Sequence, residues 1–216
     1  MTDDYGMVQE ISEYFAKNAD SFLSAVGQHL AVSTASLAVA LVIGVAGGGL
    51  CVLYGRFDGA VQGVFQTLRI IPSLAVLLLL IPIMGIGTTP AVTALVLLAI
   101  PPILLNTAAG LRGVPGFILE TASGMGMTAR QVWCKVRLPL ALPMILTGVK
   151  IAFIEIVASA TLAAKIGAGG LGELIFTGLG LARTDLLLIG GISVAILALA
   201  GGCVFALLGK LLFRYA

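Results

Sequence analysis

Charged side chains are scarce in this sequence. Of its 216 residues, only 10% are Asp, Glu, Lys or Arg, whereas soluble proteins carry about 25% to keep their surfaces in water. Hydrophobic residues make up 59% of the chain, and its mean hydropathy is +1.13. This composition excludes a water-soluble enzyme, a nucleic-acid-binding protein and a disordered chain. It predicts an integral membrane protein that contacts the lipid bilayer.

Residues that build catalytic and metal sites are also few. His29 is the only histidine, and Cys51, Cys134 and Cys203 lie far apart at no metal-binding or disulfide spacing. The sequence contains no His-Glu-x-x-His and no Gly-x-Ser-x-Gly motif. We therefore predict no catalytic residue, no metal site and no cofactor in this chain, and we place His29 at the membrane interface.

A phosphate-binding loop is missing too. The only Gly-Lys pair is Gly209-Lys210, and Val204 stands where the first glycine of such a loop would fall. The spacing Gly167-x-Gly169-x-x-Gly172 matches a dinucleotide-binding loop, but a hydrophobic helix precedes it instead of a strand. The chain is therefore expected to have no ATPase site of its own.

Uncharged runs divide the chain into membrane spans. The run from Ile70 to Leu111 is too long for one crossing of about 20 residues, and the turn-forming residues from Gly85 to Pro90 interrupt it. We predict an all-α protein with five transmembrane helices behind an amphipathic N-terminal helix. The predicted parts are an amphipathic segment 1–26, a membrane domain 27–212 with spans 30–55, 61–84, 90–112, 138–164 and 186–209, and a cytoplasmic loop 113–137.

Lysine and arginine near the ends of the spans predict how the chain is oriented. Seven lie at one set of ends and three at the other, and cytoplasmic loops carry the excess of positive charge. The larger set is Arg56, Arg112, Arg130, Lys135, Arg137, Lys210 and Arg214, and the smaller set is Lys17, Lys165 and Arg183. We expect the 113–137 loop and the C-terminus in the cytoplasm, and the N-terminus and residues 167–184 outside.

Small residues four apart predict where helices pack closely. Gly44 and Gly48 form one such pair, and Ala198 and Gly202 form another. The alternative is that small residues are simply common in membrane helices.

The polar loop 113–137 is the most informative segment. Gly124 and Gly126 permit the positive φ of a sharp reversal, which predicts two short helices joined at a bend. Thr128 can cap the second helix, and Pro139 can begin the fourth span. The second helix carries an apolar strip of Val132, Trp133 and Val136. Such a strip on a cytoplasmic loop predicts a docking helix.

This loop resembles the cytoplasmic signature of permease subunits of ATP-binding-cassette importers. The signature reads Glu-Ala-Ala, three residues, Gly, nine residues, Ile-x-Leu-Pro, and the chain matches its spacing with Thr121 for the first Ala and Val136 for Ile. The resemblance extends over about residues 20–212 and implies a type I importer permease fold. It also implies an ATPase-coupling loop formed by Glu120, Thr121, Ala122, Gly126, Trp133, Val136, Leu138 and Pro139.

The same resemblance implies the partners and the location. They are an ATP-binding subunit dimer that binds the ATP, a second permease subunit (identical or related) and an extracytoplasmic solute-binding protein. We expect that receptor to be a separate protein, because no binding domain follows the last span. The implied location is a bacterial plasma membrane.

Four further segments resemble the permeases for osmoprotectants, which import glycine betaine, choline and carnitine. They are Ile71-Pro72-Ser73, Gly85-Ile86-Gly87, the run from Pro102 to Thr107 and the run from Ile166 to Glu173. The alternative is an importer for an amino acid such as methionine, whose permeases share the glycine-rich stretch. Aromatic residues amount to 6% and are scattered, so no aromatic cage for a quaternary ammonium group is visible.

A few polar residues within the spans are candidates for a translocation path. Lys150 and Glu155 lie about 140° apart on one helix, and each costs about 3 kcal/mol in the membrane unless it is paired or hydrated. They either line the path, or Lys150 reaches the inner surface while a neighbouring helix holds Glu155. Asn106 either lines the path or ties two helices together, and Ser73 is a further path candidate. Arg69 is expected at the interface.

The glycine-rich segment is either an external re-entrant turn or a flexible connector. As a turn it would form an outer gate from Gly167, Gly169, Gly170 and Gly172. Two other classes of membrane protein fit less well. A secondary carrier typically contains inverted repeats, and five spans do not divide into equal halves. An intramembrane enzyme would need a catalytic constellation.

Overall fold

The computed structural model describes residues 3–55 and 58–213, and throughout these ranges the regular structure is helical. The helices are α1 (Asp3–Leu53), α2 (Asp58–Leu68), α3 (Ser73–Met84), α4 (Thr88–Arg112), α5 (Gly116–Gly124), α6 (Ala129–Val132), α7 (Leu138–Ala163), α8 (Gly172–Gly180) and α9 (Thr184–Leu212). A π-helical turn, Trp133–Arg137, joins α6 to α7. Arg56 and Arg214, which contribute to the predicted orientation, lie outside the described residues.

Among the described residues, four continuous helical segments are long and apolar enough to cross a membrane. They are Gly6–Leu53, Thr88–Arg112, Ala129–Ile166 and Thr184–Leu212. A fifth candidate is the pair Gly59–Leu68 and Ser73–Met84, which meets the same test only when taken together. The predicted spans 90–112, 138–164 and 186–209 agree with α4, α7 and α9 to within three residues.

The second predicted span, 61–84, is not one straight helix. α2 and α3 meet at a bend of 92°, with Pro72 at the N-cap of α3. Proline lacks a backbone N–H and pushes the residue before it, Ile71, out of the helical region. Hydropathy records how apolar a segment is but not where it changes direction, which is why the sequence predicted a single span here.

The first helix is longer than the sequence predicted. α1 runs from the amphipathic segment into the first span without a loop. A kink falls at Asn18, whose dihedral angles are φ −128° and ψ 22°, and its side-chain amide donates to the Tyr14 carbonyl at 3.2 Å. The predicted boundary near residue 26 followed the end of the charged residues, and a change in polarity does not require a break in the backbone.

α4 forms the centre of the bundle, between α1 and α7. In the apolar stretch of α4, 67% of the residues are buried, whereas in the apolar stretch of α9 only 6% are buried. Gly48 of α1 lies so close to α4 that a Cβ there would be 2.6 Å from the Thr107 Cβ, and one on Gly44 would be 2.7 Å from the Ile103 Cβ. The predicted packing role of this glycine pair is confirmed.

α7 packs against the opposite side of α4 in the same way. A Cβ on Gly148 would be 2.7 Å from the Asn106 Cβ and 2.8 Å from the Pro102 carbonyl oxygen. α9 then packs on α7, where Gly201 lies directly against the Phe153 ring. The neighbouring Gly202, which the sequence predicted to pack against another helix, is buried against α7 as well, where a Cβ would be 3.4 Å from the Ile154 Cδ1. The closest approach on α9 is at Gly201.

We expect Gly148→Leu to destabilise the protein, because the added side chain has to push α7 away from α4. Overpacking of this kind costs about 1–3 kcal/mol of unfolding free energy. A thermal unfolding curve of the purified protein in detergent should show a lower Tm. Gly27→Leu is the matched control, since a Cβ on Gly27 has no atom within 4 Å. An equal loss in both variants would contradict the packing role of Gly148.

Candidate functional site

The segment between α4 and α7 has the two short helices and the glycine bend that the sequence predicted. α5 ends at Gly124 and α6 begins at Ala129. Gly126 has φ +81°, which only glycine adopts without strain, and its N–H donates to the Ser123 carbonyl at 3.0 Å. Gly124 is helical instead, so the positive φ predicted for it was wrong. One glycine is enough for the reversal.

The second helix of this segment is continuous with the membrane span. Thr128 caps α6 in a capping box with Gln131, whose Oε1 accepts the Thr128 N–H at 2.8 Å. The π-helical turn carries the chain into α7, and the N–H of Leu138 donates to the Trp133 carbonyl. Pro139 lies in the first turn of α7, as predicted, and the π-helical turn makes this helix continuous with α6. The missing N–H of Pro139 is tolerated because the hydrogen-bond pattern has already shifted at the π turn.

The signature residues divide between a buried and an exposed side. Ala122 is buried, and its carbonyl accepts the Met127 N–H at 3.2 Å. Glu120 and Thr121 are exposed. Val136 and Leu138 are half-buried. In this loop, the backbone turn and one small side chain hold the bend together.

Trp133 and its strip face the bundle. Trp133 is half-buried against the core that α1 and α4 share. The Arg137 guanidinium lies 5.2 Å from the Trp133 ring centroid, and its Nε donates to the Leu111 carbonyl at the end of α4 at 2.9 Å. These contacts fasten Trp133 to the bundle. Val132 and Trp133 are half-buried and also line an open cavity of about 500 Å³, so the docking role of the strip stays a prediction.

The most exposed apolar side chains of the loop lie on α5 and the bend. Phe117 is 68% exposed and Met125 is 78% exposed. Between them is an apolar depression of about 320 Å³, whose other lining residues are Ile118, Thr121, Ala122, Met127 and Val136. Sequence reasoning missed Phe117 and Met125. The available signal was the apolar run Phe117-Ile118-Leu119 within a polar segment.

The glycine-rich segment is a turn held by neighbouring elements, at the end of the bundle opposite α5. Gly167, Gly169 and Gly170 all have positive φ, between 74° and 85°. The Ile166 carbonyl accepts the Gly87 N–H at 2.6 Å, which joins this turn to the loop between α3 and α4. Gly172 begins α8 and packs against the Thr161 carbonyl of α7. These contacts favour an ordered turn over a flexible connector.

Two adjacent residues of α1 hold the glycine turn from its other side. The Gly170 N–H donates to the Gln28 Oε1 at 3.1 Å. His29 is 2% exposed, so it is enclosed by the bundle, and its Nε2 lies 3.0 Å from the Val157 carbonyl of α7. Since a carbonyl only accepts, Nε2 must donate this hydrogen bond. The sequence offered no sign of this clamp, because Gln28 and His29 are far from residues 157 and 170 in the chain.

The polar residues predicted for a translocation path do not form one cluster. The Asn106 amide donates to the Pro102 carbonyl of its own helix at 2.8 Å, next to Gly148. Ser73 is half-buried at the start of α3. Lys150 is half-buried and shares a cleft of about 440 Å³ between α7 and α9 with Lys210. Neither ammonium group has an ion-pair partner among the described residues.

Glu155 forms an ion pair that the sequence did not predict. Its Oε1 lies 3.0 Å from the Nη2 of Arg69, in the bend between α2 and α3. The two side chains remain 37% and 45% exposed. Glu155 is therefore held by a neighbouring element, and its side chain is also accessible. The two predicted alternatives, that it lines the path or that a neighbouring helix holds it, do not exclude one another. Arg69 directly follows the end of α2, in the bend before α3.

Comparison with known proteins identifies the family. Residues 36–214 match the family described as binding-protein-dependent transport system inner membrane component. The carnitine transport permease protein OpuCB of Listeria monocytogenes is 41% identical, over 94% of this chain and 92% of that protein. The osmoprotectant import permease protein OsmY of Salmonella typhimurium is 40% identical, over 85% of this chain and 78% of its own length.

Solved structures show the same fold. The inward-facing MetNI methionine ABC transporter is similar with a TM-score of 0.72 and 26% identity, over 86% of this chain and 94% of that chain. An amino acid ABC transporter crystallised with histidines shares the fold alone, with a TM-score of 0.74, 19% identity and coverage of 91% of this chain and 96% of that chain. The predicted type I importer permease fold is confirmed. The chain belongs to the family of binding-protein-dependent transport system inner membrane components.

Proposed function

We propose that this chain is the permease subunit of an ATP-driven importer for osmoprotectant quaternary ammonium solutes such as glycine betaine, carnitine and choline. The observation that carries the proposal is the 41% identity to a carnitine transport permease over 94% of the chain. A glycine betaine/carnitine/choline permease of Bacillus subtilis is 35% identical over 89%. The alternative substrate, methionine, is supported only by structural likeness at 26% identity.

The loop around α5 is the proposed contact with a separate ATPase subunit, which binds the ATP. Its support is the exposed apolar surface at Phe117 and Met125, which faces water at the loop end of the bundle. Exposed apolar patches on a polar surface favour protein contacts. Glu120, also exposed on α5, adds a charged rim. A second permease subunit supplies the matching loop for the second ATPase.

The continuous helix behind this loop supports a mechanical role. The segment Ala129–Ile166 has 38 residues, a length of about 57 Å at 1.5 Å per residue. It connects the loop directly to the glycine turn on the other side. In the proposed mechanism, closure of the ATPase dimer moves α5 and α6, and α7 transmits this movement through the membrane. The path then alternates between inward-open and outward-open states.

The location and orientation follow from the same arrangement. We place the chain in the bacterial plasma membrane with the N-terminus outside and the C-terminus in the cytoplasm, because the loop end carries most of the Lys and Arg residues. The glycine turn, with Gly167, Gly169 and Gly170, then forms part of an outer gate near the site where a solute-binding protein delivers its solute.

Purification from the native host tests the whole proposal. We expect an ATPase subunit and a solute-binding protein to be recovered with this chain, and the reconstituted complex to take up glycine betaine only when ATP is supplied. ATP-driven uptake of methionine instead would support the alternative substrate. Recovery of this chain alone, with solute transport in liposomes that needs no ATP, would favour a secondary carrier.

Gly126→Val should uncouple ATP hydrolysis from transport. A β-branched side chain at φ +81° strains the bend by about 1–2 kcal/mol, which alters the angle between α5 and α6. We expect the complex to insert and assemble normally but to lose solute-stimulated ATPase activity. Gly124→Val is the matched control: Gly124 is also exposed, and a Cβ at either glycine has open space, but Gly124 is helical. Equal activity in both variants would contradict the role of the bend.

Gln28→Ala should loosen the glycine turn. It removes the acceptor for the Gly170 N–H, a loss of about 1 kcal/mol. In the purified protein, hydrogen–deuterium exchange of the 167–171 amides should become roughly five-fold faster. Gln28→Glu keeps an acceptor oxygen at this position and should preserve most of the protection. Identical exchange in Gln28→Ala and in the unmodified protein would show that other contacts hold the turn.

A further inference from the structure

The ion pair between Arg69 and Glu155 lies within the membrane-crossing part of the bundle. Glu155 is eight residues before the end of α7 at Ala163, which places it about 12 Å below that end. Arg69 reaches it from the non-helical bend before Pro72. Both groups therefore sit at a depth where a charge facing lipid is strongly unfavourable.

The pair nevertheless lies on an open face of the chain. Its side chains are 37% and 45% exposed, and Ala158, the neighbour three residues after Glu155 on α7, is exposed as well. Charged residues in membrane spans almost always face other helices or a water-filled cavity. This face is therefore turned towards a hydrated space or a second subunit, not towards lipid.

We propose that Arg69 and Glu155 form a solute-binding subsite in the translocation path, selective for zwitterions that carry a carboxylate and a quaternary ammonium group. The inference rests on the proposed function, since it assumes a path for such solutes. On arrival of the solute the ion pair opens, Arg69 binds the solute carboxylate, and Glu155 faces the quaternary ammonium group. On departure the two side chains pair again.

The chemistry of each group suits this exchange. A guanidinium presents paired N–H donors that match a carboxylate. A quaternary ammonium has no N–H and cannot form a conventional hydrogen bond, so a carboxylate attracts it by charge alone. Because one ion pair is replaced by two, neither protein charge is left without a counter-ion. A cation without a carboxylate, such as choline, would neutralise Glu155 but leave Arg69 unpaired.

The position of Arg69 makes the opening of the pair possible. Arg69 belongs to the turn between α2 and α3, so its movement does not disturb a helix. Glu155 is fixed on α7, which packs against α4 through Gly148, seven residues earlier and on nearly the same face of the helix. The subsite thus combines one rigid and one mobile charge. It also lies on the helix that continues from the coupling loop, so its exposure can change with the movement of α7.

The test compares uptake of glycine betaine, a zwitterion, with uptake of choline, a cation, by the complete complex in liposomes. We expect Arg69→Gln to lower the ratio of glycine betaine to choline uptake by about tenfold, through a higher KM for the zwitterion. Glu155→Gln should lower uptake of both solutes. Lys17→Gln is the control, because it breaks an exposed ion pair with Glu13 away from the bend. It should leave the ratio unchanged.

An unchanged ratio in Arg69→Gln, or equal loss of both solutes, would overturn the inference and leave the pair with a structural role. If Arg69→Gln does not assemble, Arg69→Lys is measured in the same way, because it keeps the charge but loses the paired donors. A smaller fall in the ratio then supports the subsite, and no fall rejects it. Failure of the unmodified complex to transport either solute would instead reject the proposed function.

Discussion

The close approach of α1 and α7 to α4 is the contact on which the rest of this structure depends. Lipid tails are as apolar as the helices, so no hydrophobic drive brings membrane helices together, and they associate through packing and hydrogen bonds. Glycines at positions 44, 48 and 148 let the backbones meet where any side chain would collide. These contacts hold α4 in the centre of the bundle. α9 remains largely open, since only 6% of the residues in its apolar stretch are buried.

One continuous helical segment, Ala129–Ile166, connects the two ends of the bundle. At one end, Arg137 joins the helix to the end of α4 through the Leu111 carbonyl. Near the other end, its Val157 carbonyl accepts a hydrogen bond from His29 of α1. In the proposed mechanism, a movement of the loop would reach the glycine turn through this one continuous helix.

Several charged side chains of the bundle contact specific neighbouring groups. Arg69 and Glu155 satisfy each other in a partly exposed ion pair, and Arg137 is fastened between Trp133 and a helix end. Lys150 and Lys210 share a cleft between α7 and α9.

The sequence by itself determined the membrane class, three of the spans to within three residues, the bend at Gly126 and the cap at Thr128. These properties depend on local features of the chain. They are the length of an uncharged run, a glycine that permits positive φ, and a capping side chain within one turn of the helix that it caps. The tertiary structure alone decided the bend between α2 and α3, the packing of Trp133 against the bundle, the exposure of Phe117 and the clamp by Gln28 and His29. The pairing of Arg69 with Glu155 belongs to the same group. Those properties depend on which residues meet across the bundle, and partners 86 positions apart in the chain leave no trace in local composition or periodicity.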